Sequence, residues 1–285
     1  MYISHDFRDY EIIDAGDGEK LERWGNVILS RPEPQAIWSM ESRISPDAHY
    51  IRASTGGGRW EFNKTLPEKW RIRYKNLTFV VRPTGFKHTG LFPEQAANWD
   101  YVSDIVKSSK KPPHILNLFA YTGGVTVALL KAGAEVTHVD AAKGMIAWAK
   151  ENAELSGVLD APVRFIIDDC MKFVMREQRR GHLYDGIIMD PPSYGRGPNG
   201  EMWKIETDLY PLIVECVKLL SDDALFFLIN SYTTGFAPGI LTAVLKAALS
   251  DRRGICQIES DEIGLPITRL GLTLPCGASG RALFI

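Results

Sequence analysis

At 285 residues, 45% hydrophobic and 24% charged, the chain is long enough to bury its own core, which argues against a disordered tail or a disulfide-stapled mini-domain. Its net charge of −2 does not mark a uniformly basic nucleic-acid binder. Cys170, Cys216, Cys256 and Cys276 share no CxxC spacing, which argues against a zinc knuckle and fits a reducing cytosol.

Met1 to Tyr10 is polar and charged, unlike a signal peptide, and apolar runs such as Ala224 to Ile229 are only strand length. The expectation is a cytoplasmic protein with no membrane span and no metal site; a homo-oligomer is left open.

The first ninety residues read as short strands broken by turns. Tyr10 to Ile13 precedes a Gly/Asp turn at Asp14 to Gly18, and Asn26 to Leu29 stops at Arg31-Pro32-Glu33-Pro34. Trp70 to Tyr74 and Leu77 to Val81, joined by Lys75-Asn76, have the pattern of a hairpin. Residues 1–90 are therefore expected to form a small β-rich domain, and 91–285 the main domain. Pro93-Glu94 opens a helix carrying Ala96, Ala97, Tyr101, Val102, Ile105 and Val106.

From His114 strands and helices alternate. Strands are expected at His114 to Phe119, Glu135 to Val139, Val163 to Ile167, Tyr184 to Met189 and Leu225 to Ile229. Helices are expected at Val125 to Ala132, Lys143 to Leu155, Met171 to Gln178, Ile205 to Leu220 and Gly239 to Leu249. Such alternation means a doubly wound, mostly parallel α/β sheet. The tail adds two strands, Ile255 to Ile263 and Arg281 to Ile285, with no helix between them.

Ligands of open α/β sheets sit at the carboxyl ends of the strands. The first βα turn reads Asn117-Leu118-Phe119-Ala120-Tyr121-Thr122-Gly123-Gly124. Its glycines suit a close backbone approach to a ligand, but the G-x-G-x-x-G spacing and a Walker lysine are missing. A turn that merely packs helix on sheet would look the same. Asp140 ends the second strand, where a carboxylate accepts from ribose hydroxyls; it would also serve as a helix cap. Asp168-Asp169 ends the third strand, where a carboxylate can accept from an adenine amino group and the Cys170 amide can donate to the ring. The alternative there is an N-cap for the helix that follows.

The fourth strand ends in Asp190-Pro191-Pro192-Ser193-Tyr194. Two prolines make a stiff turn that donates no amide hydrogens, so carbonyls and the Asp190 carboxylate present acceptors. That arrangement suits a planar nitrogen held with its lone pair toward a reactive methyl group, and Tyr194 suits stacking on an aromatic substrate. The competing reading is a structural Pro-Pro turn.

The turn at Asn117 to Gly124 together with Asp190-Pro191-Pro192 resembles the large-subunit (23S) ribosomal RNA methyltransferases that modify cytosine C5 or guanine, over roughly residues 84 to 235. The resemblance implies S-adenosylmethionine as cofactor, RNA as partner and the class I methyltransferase sheet, seven mostly parallel strands ending in a hairpin. Thr89 to Gln95 is similar to a family segment, G-x-F-x-D-Q-R, that closes over the methionine end of the cofactor together with the aromatic of the first turn. Phe92, Gln95 and Tyr121 are cofactor contacts by that resemblance; Ala96 stands where the family has arginine. The cofactor set thus comprises Phe92, Gln95, Asn117, Phe119, Tyr121, Thr122, Gly123, Gly124, Asp140, Asp168, Asp169 and Cys170. The reaction set comprises Asp190, Pro191, Pro192 and Tyr194.

Two departures bear on the chemistry. Cytosine C5 methylation needs a thiolate that adds to C6. The C5-methylating members place a cysteine after the fifth strand, where this chain has Asn230-Ser231-Tyr232-Thr233-Thr234, and Ser193 occupies the other usual location. Transfer to a nitrogen is therefore expected, with Cys170 and Cys216 as packing residues. The second departure is that many relatives carry an RNA-binding module ahead of the small β region, where this chain begins directly.

Arg52 to Lys87 holds nine bases and two acids, interleaved with Trp60, Phe62, Trp70, Tyr74, Phe79 and Phe86. Bases for phosphates and aromatics for stacking suit RNA. Strand alternation alone would produce the same pattern, with the aromatics inward and the bases in solvent. A methyltransferase for a small molecule or protein side chain, or a non-catalytic cofactor-binding protein, are the alternatives to an RNA enzyme.

Overall fold

The computed structural model describes residues 1–53, 57–197, 200, 202–252 and 256–284. Ile255 and Ile285, expected at strand ends, lie outside the described residues, as does the side chain of Cys256. The chain divides into two compact units: one of Met1–Tyr2, Asn98–Ile263 and Gly277–Ile285, the other of Ile3–Ala97 and Gly264–Cys276.

The first ninety residues form β1 (Tyr2–Ile3), β2 (Tyr10–Gly16), β3 (Glu19–Trp24), β4 (Val27–Pro32), β5 (Ala48–Arg52), β6 (Gly58–Phe62), β7 (Trp70–Tyr74) and β8 (Leu77–Val81). In the smaller unit β2 to β6 lie side by side in chain order, and β7 and β8 form a separate hairpin. The β2–β3 connection is the two-residue loop Asp17-Gly18, both left-handed, the geometry that matches strand twist. It falls at the end of the Gly/Asp stretch, so Asp14 to Gly16 belong to the strand rather than to the turn.

The sequence pattern does not reveal β3, because charged residues fill it. Glu22 is fully buried, yet it receives the Arg31 guanidinium through Nε and Nη2 at 2.5 and 2.7 Å and the Tyr10 hydroxyl at 2.7 Å. A buried carboxylate is tolerable only when paired in this way, and its partners come from the neighbouring strands. The β7–β8 hairpin appears as expected: Ile72, Tyr74 and Phe79 are buried, while Arg71 and Arg73 face solvent.

The remaining elements are a 3-10 turn (Pro93–Gln95) running into α1 (Ala96–Ser108), β9 (His114–Leu118), α2 (Gly124–Ala132), β10 (Glu135–Asp140), α3 (Lys143–Leu155), β11 (Val163–Ile167), α4 (Cys170–Arg180), β12 (Gly186–Met189), β13 (Tyr194–Arg196), β14 (Met202–Lys204), α5 (Ile205–Val217), β15 (Phe226–Ser231), α6 (Pro238–Ala248), β16 (Cys256–Ile267) and β17 (Leu272–Phe284). The larger unit's sheet has the order β11-β10-β9-β12-β15-β17-β16. Its first five strands are parallel, and β17 runs antiparallel to β15. This is the expected seven-stranded, mostly parallel α/β sheet. Ile115, Leu116, Ile187, Phe227 and Ile229 are fully buried, as strands covered on both faces require.

The terminal hairpin is much longer than the two short strands expected. Gly264, Pro266, Gly271, Pro275, Gly277 and Gly280 read as turn residues, but most of them sit inside paired strands. Gly280 shows why: a Cβ there would lie 2.9 Å from Leu241 of α6. Two more strands, β13 and β14, form a small hairpin directly after the Pro-Pro turn and were not among the expected elements.

Candidate functional site

The register of the sheet brings the strand tips level. Leu118 of β9 pairs with Val139 of β10 and with Met189 of β12, and Met189 pairs with Ile229 of β15. Phe119, Asp140, Asp190 and Asn230 are therefore the next residues at one height along the carboxyl edge. Asp168 follows one residue beyond the Asp140–Ile167 pair. Neighbouring strands lie about 4.8 Å apart, so Asp140 and Asp190 flank Phe119 at roughly 10 Å from each other.

The turn after β9 alternates into left-handed backbone at Phe119 (φ 52°), Tyr121 (φ 51°) and Gly123 (φ 80°). Two of these are not glycine, a conformation that costs about 1–3 kcal/mol each and collects at ligand sites. Asp140 holds the turn: its carboxylate accepts from the amides of Tyr121 and Ala142, both at 2.8 Å. Burial raises its pKa, against the lowering by those two amides.

Beneath the turn, Asn117 is buried and donates to the Thr126 hydroxyl at 2.9 Å, and that hydroxyl meets His138 Nδ1 at 2.9 Å. Burial holds His138 down at about 3, so the ring is neutral. Thr122 is buried as well; its carbonyl accepts from Asn152 at 2.8 Å.

The two glycines serve packing first. A Cβ on Gly124 would lie 2.7 Å from the Trp99 ring, and one on Gly123 would lie 3.0 Å from Ala149. Their small size lets α2 seat against α1 and α3. At both Cβ positions the close neighbour is protein.

At the third tip, Asp169 is the N-cap of α4 and accepts from the Lys172 amide at 2.9 Å. Asp168 accepts from the Asp169 amide at 2.9 Å and pairs with Arg176. Cys170 is buried in the core, and burial pushes its thiol well up; Cys216, also fully buried, is shifted the same way. Neither is a thiolate at neutral pH.

At the fourth tip, Asp190 is half-buried, Pro191 buried and Pro192 exposed. One expected acceptor is already engaged, since Pro192 O receives the Trp203 indole N–H at 2.7 Å. The Trp203 ring also packs on Phe119, centroids 4.9 Å apart, which joins the fourth tip to the first. Tyr194 is about half exposed, and its hydroxyl donates to Met202 Sδ at 3.1 Å across the β13–β14 hairpin. Ser193 and Thr233 hydroxyls meet at 2.6 Å, linking this turn to the loop after β15.

Asn230, at the same height, is locked from behind. It accepts from Asn98 at 2.8 Å, and Asn98 in turn accepts from Arg281 Nη2 at 2.7 Å. The Arg281 guanidinium lies between the Tyr2 and Tyr101 rings, 3.5 and 4.2 Å from their centroids. Sequence reasoning missed Trp203 and this Asn98–Arg281 support. The adjacent Met202-Trp203-Lys204 alternation was the available signal for the hairpin.

Thus Phe119, Tyr121, Asp140, Asp168, Asp169 and Asp190 share one edge, while Asn117, Thr122 and Cys170 lie buried behind it. Phe92 and Gln95 belong to the smaller unit. There Phe92 packs edge-on to His88 at 5.3 Å and accepts the Gln95 amide at 3.1 Å. Among the described residues no group of three His, Cys, Asp or Glu side chains is placed to hold a metal, and no helix is long and apolar enough to cross a membrane.

An S-adenosylmethionine molecule is compatible with this donor set. Asp140 uses two of roughly four carboxylate acceptor positions on backbone amides, so others remain for ribose hydroxyls.

Residues 43–226 match the S-adenosylmethionine-dependent methyltransferase family. A crystal structure of an S-adenosylmethionine-dependent methyltransferase from Agrobacterium tumefaciens is similar at 36% identity with a TM-score of 0.94, covering 99% of this chain and 92% of that one. The ribosomal RNA large subunit methyltransferase K/L of Shewanella frigidimarina is 34% identical over 145 residues, half of this chain and 20% of that protein. The ribosomal RNA large subunit methyltransferase K of Neisseria meningitidis serogroup B is 27% identical over 229 residues, 76% of this chain and 64% of that protein. The chain therefore spans less than two thirds of the length of either curated relative.

Proposed function

The chain belongs to the S-adenosylmethionine-dependent methyltransferase family, and from that premise we propose that it methylates a base nitrogen of RNA, with ribosomal RNA as the acceptor class. The observation that carries this reading is the joint placement of Asp140 and Asp190 on either side of Phe119, while Cys170, the thiol that meets the Phe119 backbone, is buried and kept protonated by that burial. The named activities of the Shewanella and Neisseria relatives support the choice of RNA. The setting is the cytoplasm, with the smaller unit, Ile3–Ala97 and Gly264–Cys276, contacting substrate and the larger unit carrying catalysis.

When bound, the cofactor supplies a methyl group on a cationic sulfur. Asp140 would hold the ribose, Asp168, Asp169 and the Cys170 amide the adenine, and the Phe119 to Gly124 turn the methionine end. The carboxylates along this edge favour a cation. Asp190 and the carbonyl of Pro191 accept hydrogen bonds from the acceptor amine, which orients its lone pair. Trp203 keeps Pro192 rigid, and Tyr194 offers a ring for stacking of the target base.

The experiment is incubation of the protein with labelled cofactor and ribosomal RNA from a strain lacking the gene, followed by mapping of the mark. A methyl group on a nitrogen is expected. RNA containing 5-fluorocytidine should form no covalent complex; a trapped adduct, or a mark on cytosine C5, refutes nitrogen transfer.

A further inference from the structure

The smaller unit exposes an aromatic and basic face on β5 and β6. Residues directly opposed in an antiparallel pair share a face, and a strand returns to that face every second residue. The pairs Ala48↔Phe62, Tyr50↔Trp60 and Arg52↔Gly58 thus put Tyr50, Arg52, Trp60 and Phe62 on one side.

Trp60 anchors this side. Its ring meets buried Tyr50 edge-on at 5.4 Å, and its indole nitrogen lies 2.9 and 3.2 Å from the carbonyls of Thr84 and Phe86, to which it donates. The 84–86 turn is held beside the strand, closed by the Thr84 hydroxyl donating to the His88 carbonyl at 2.8 Å.

Two phenyl rings flank this anchor in open solvent, Phe62 at 55% and Phe86 at 68% exposure. Phe62, Lys64, Leu66, Pro67, Glu68 and Pro83 are among the residues that line a groove of about 560 Å³. Arg52 is exposed and makes no ion pair among the described residues. Its charge also reaches the half-buried Lys87, whose pKa burial already lowers. Glu61 projects to the opposite face, where it pairs with Arg59 at 2.6 Å. The Lys64 ammonium pairs with Asp47 and is still largely exposed.

Exposed flat rings beside cations, with the strand's acid turned away, are the elements of a single-strand stacking platform. The same bases and aromatics behave differently on β7–β8, where Tyr74 and Phe79 are buried and Arg73 pairs with Asp9 at 3.3 Å.

We propose that the face formed by β5, β6 and the 82–87 turn stacks unpaired bases of single-stranded RNA on Phe62 and Phe86, while Arg52 meets the phosphates. The proposal rests on RNA being the acceptor.

The test is fluorescence anisotropy of the full chain with a labelled, unstructured 12-nucleotide RNA, alongside methyl transfer to ribosomal RNA. Phe62→Ala and Phe86→Ala should each weaken binding by roughly five- to a hundredfold, and Phe→Tyr at either site should restore it. Arg52→Gln should lower the salt slope by about one, and Arg71→Gln should leave the affinity of the wild type. Both rings are exposed, so unchanged melting curves are expected and serve as the folding check. If ribosomal RNA is methylated and both alanine variants bind the oligomer like the wild type, the surface is refuted and the activity stands. If binding needs the two rings but no RNA is methylated, the surface stands and the acceptor assignment falls. No affinity for the oligomer at all overturns the surface in favour of a protein partner.

Discussion

The indole nitrogen of Trp203 donates to the carbonyl oxygen of Pro192 at 2.7 Å, so a residue of the β13–β14 hairpin fixes the turn that follows Asp190. Its ring also packs against Phe119 at 4.9 Å, which ties the first and fourth strand tips together. Trp203→Phe keeps the ring and removes the donor; at about 1 kcal/mol for one hydrogen bond, kcat should fall about fivefold with cofactor affinity unchanged. Trp203→Ala also removes the stacking, about 0.5–1.5 kcal/mol more, and should weaken cofactor binding too. Calorimetric cofactor titration beside a transfer assay separates the two. Equal kcat in wild type and Trp203→Phe would dissociate this contact from catalysis.

Asp190 and Asp140 should separate substrate from cofactor. Asp190→Ala is expected to abolish transfer and leave cofactor affinity within about twofold, since in the proposed reaction the acid holds the acceptor rather than the cofactor. Asp140→Asn keeps an oxygen for one backbone amide but turns an NH2 toward the other. It should weaken cofactor binding by about tenfold or more. Loss of cofactor affinity in Asp190→Ala with residual transfer would reverse the assignment.

Gly124→Ala tests whether the glycine pair serves packing. The added methyl would meet the Trp99 ring at 2.7 Å, and overpacking of this kind costs about 1–3 kcal/mol. A lower melting temperature without any ligand is the expected result. If instead the free protein melts normally and only cofactor affinity drops, close approach of a ligand governs that position.

Acid should destabilise the protein through buried carboxylates. Glu177 is buried; burial by itself would raise its pKa, but the Tyr184 hydroxyl at 2.6 Å, His182 and Arg180 at 3.0 Å and the charge of Arg164 hold it at about 2, against 4.5 for an ordinary glutamate. The folded value is the lower one, so Glu177 stabilises the fold above pH 4.5 and that contribution fades as the pH falls toward 2. Glu22 acts in the same direction, because Arg31 and Lys20 outweigh the effect of its burial. Glu177→Gln should lose about 1–3 kcal/mol at pH 7 and show a shallower loss of stability below pH 4.5. Parallel acid-unfolding curves for variant and wild type would contradict this.

Apart from the β13–β14 hairpin, residues 114 to 249 were legible from sequence because β9, β10, β12 and β15 are largely buried apolar runs and the helices bury one face. Each element therefore carries its own apolar period, and α3 and β11 run between the expected residues. The strand tips were legible for the same reason, since an acid that ends an apolar strand stands out. β3 was hidden because its buried member is Glu22, acceptable only beside Arg31 and Tyr10 from other strands. The terminal hairpin was hidden because its glycines look like turns until α6 is packed against Gly280.

Local pattern alone established the alternating α/β plan and picked out the strand tips that the fold brings level on one edge. It did so because burial imprints a period on consecutive side chains. Folding settled what those residues touch: Gly123 and Gly124 against helices, Asp169 as a cap, Trp203 on Pro192, and Phe62 and Phe86 left in water while Tyr74 and Phe79 went inside. These outcomes depend on partners distant in the chain, and no periodicity of neighbours encodes a partner's identity.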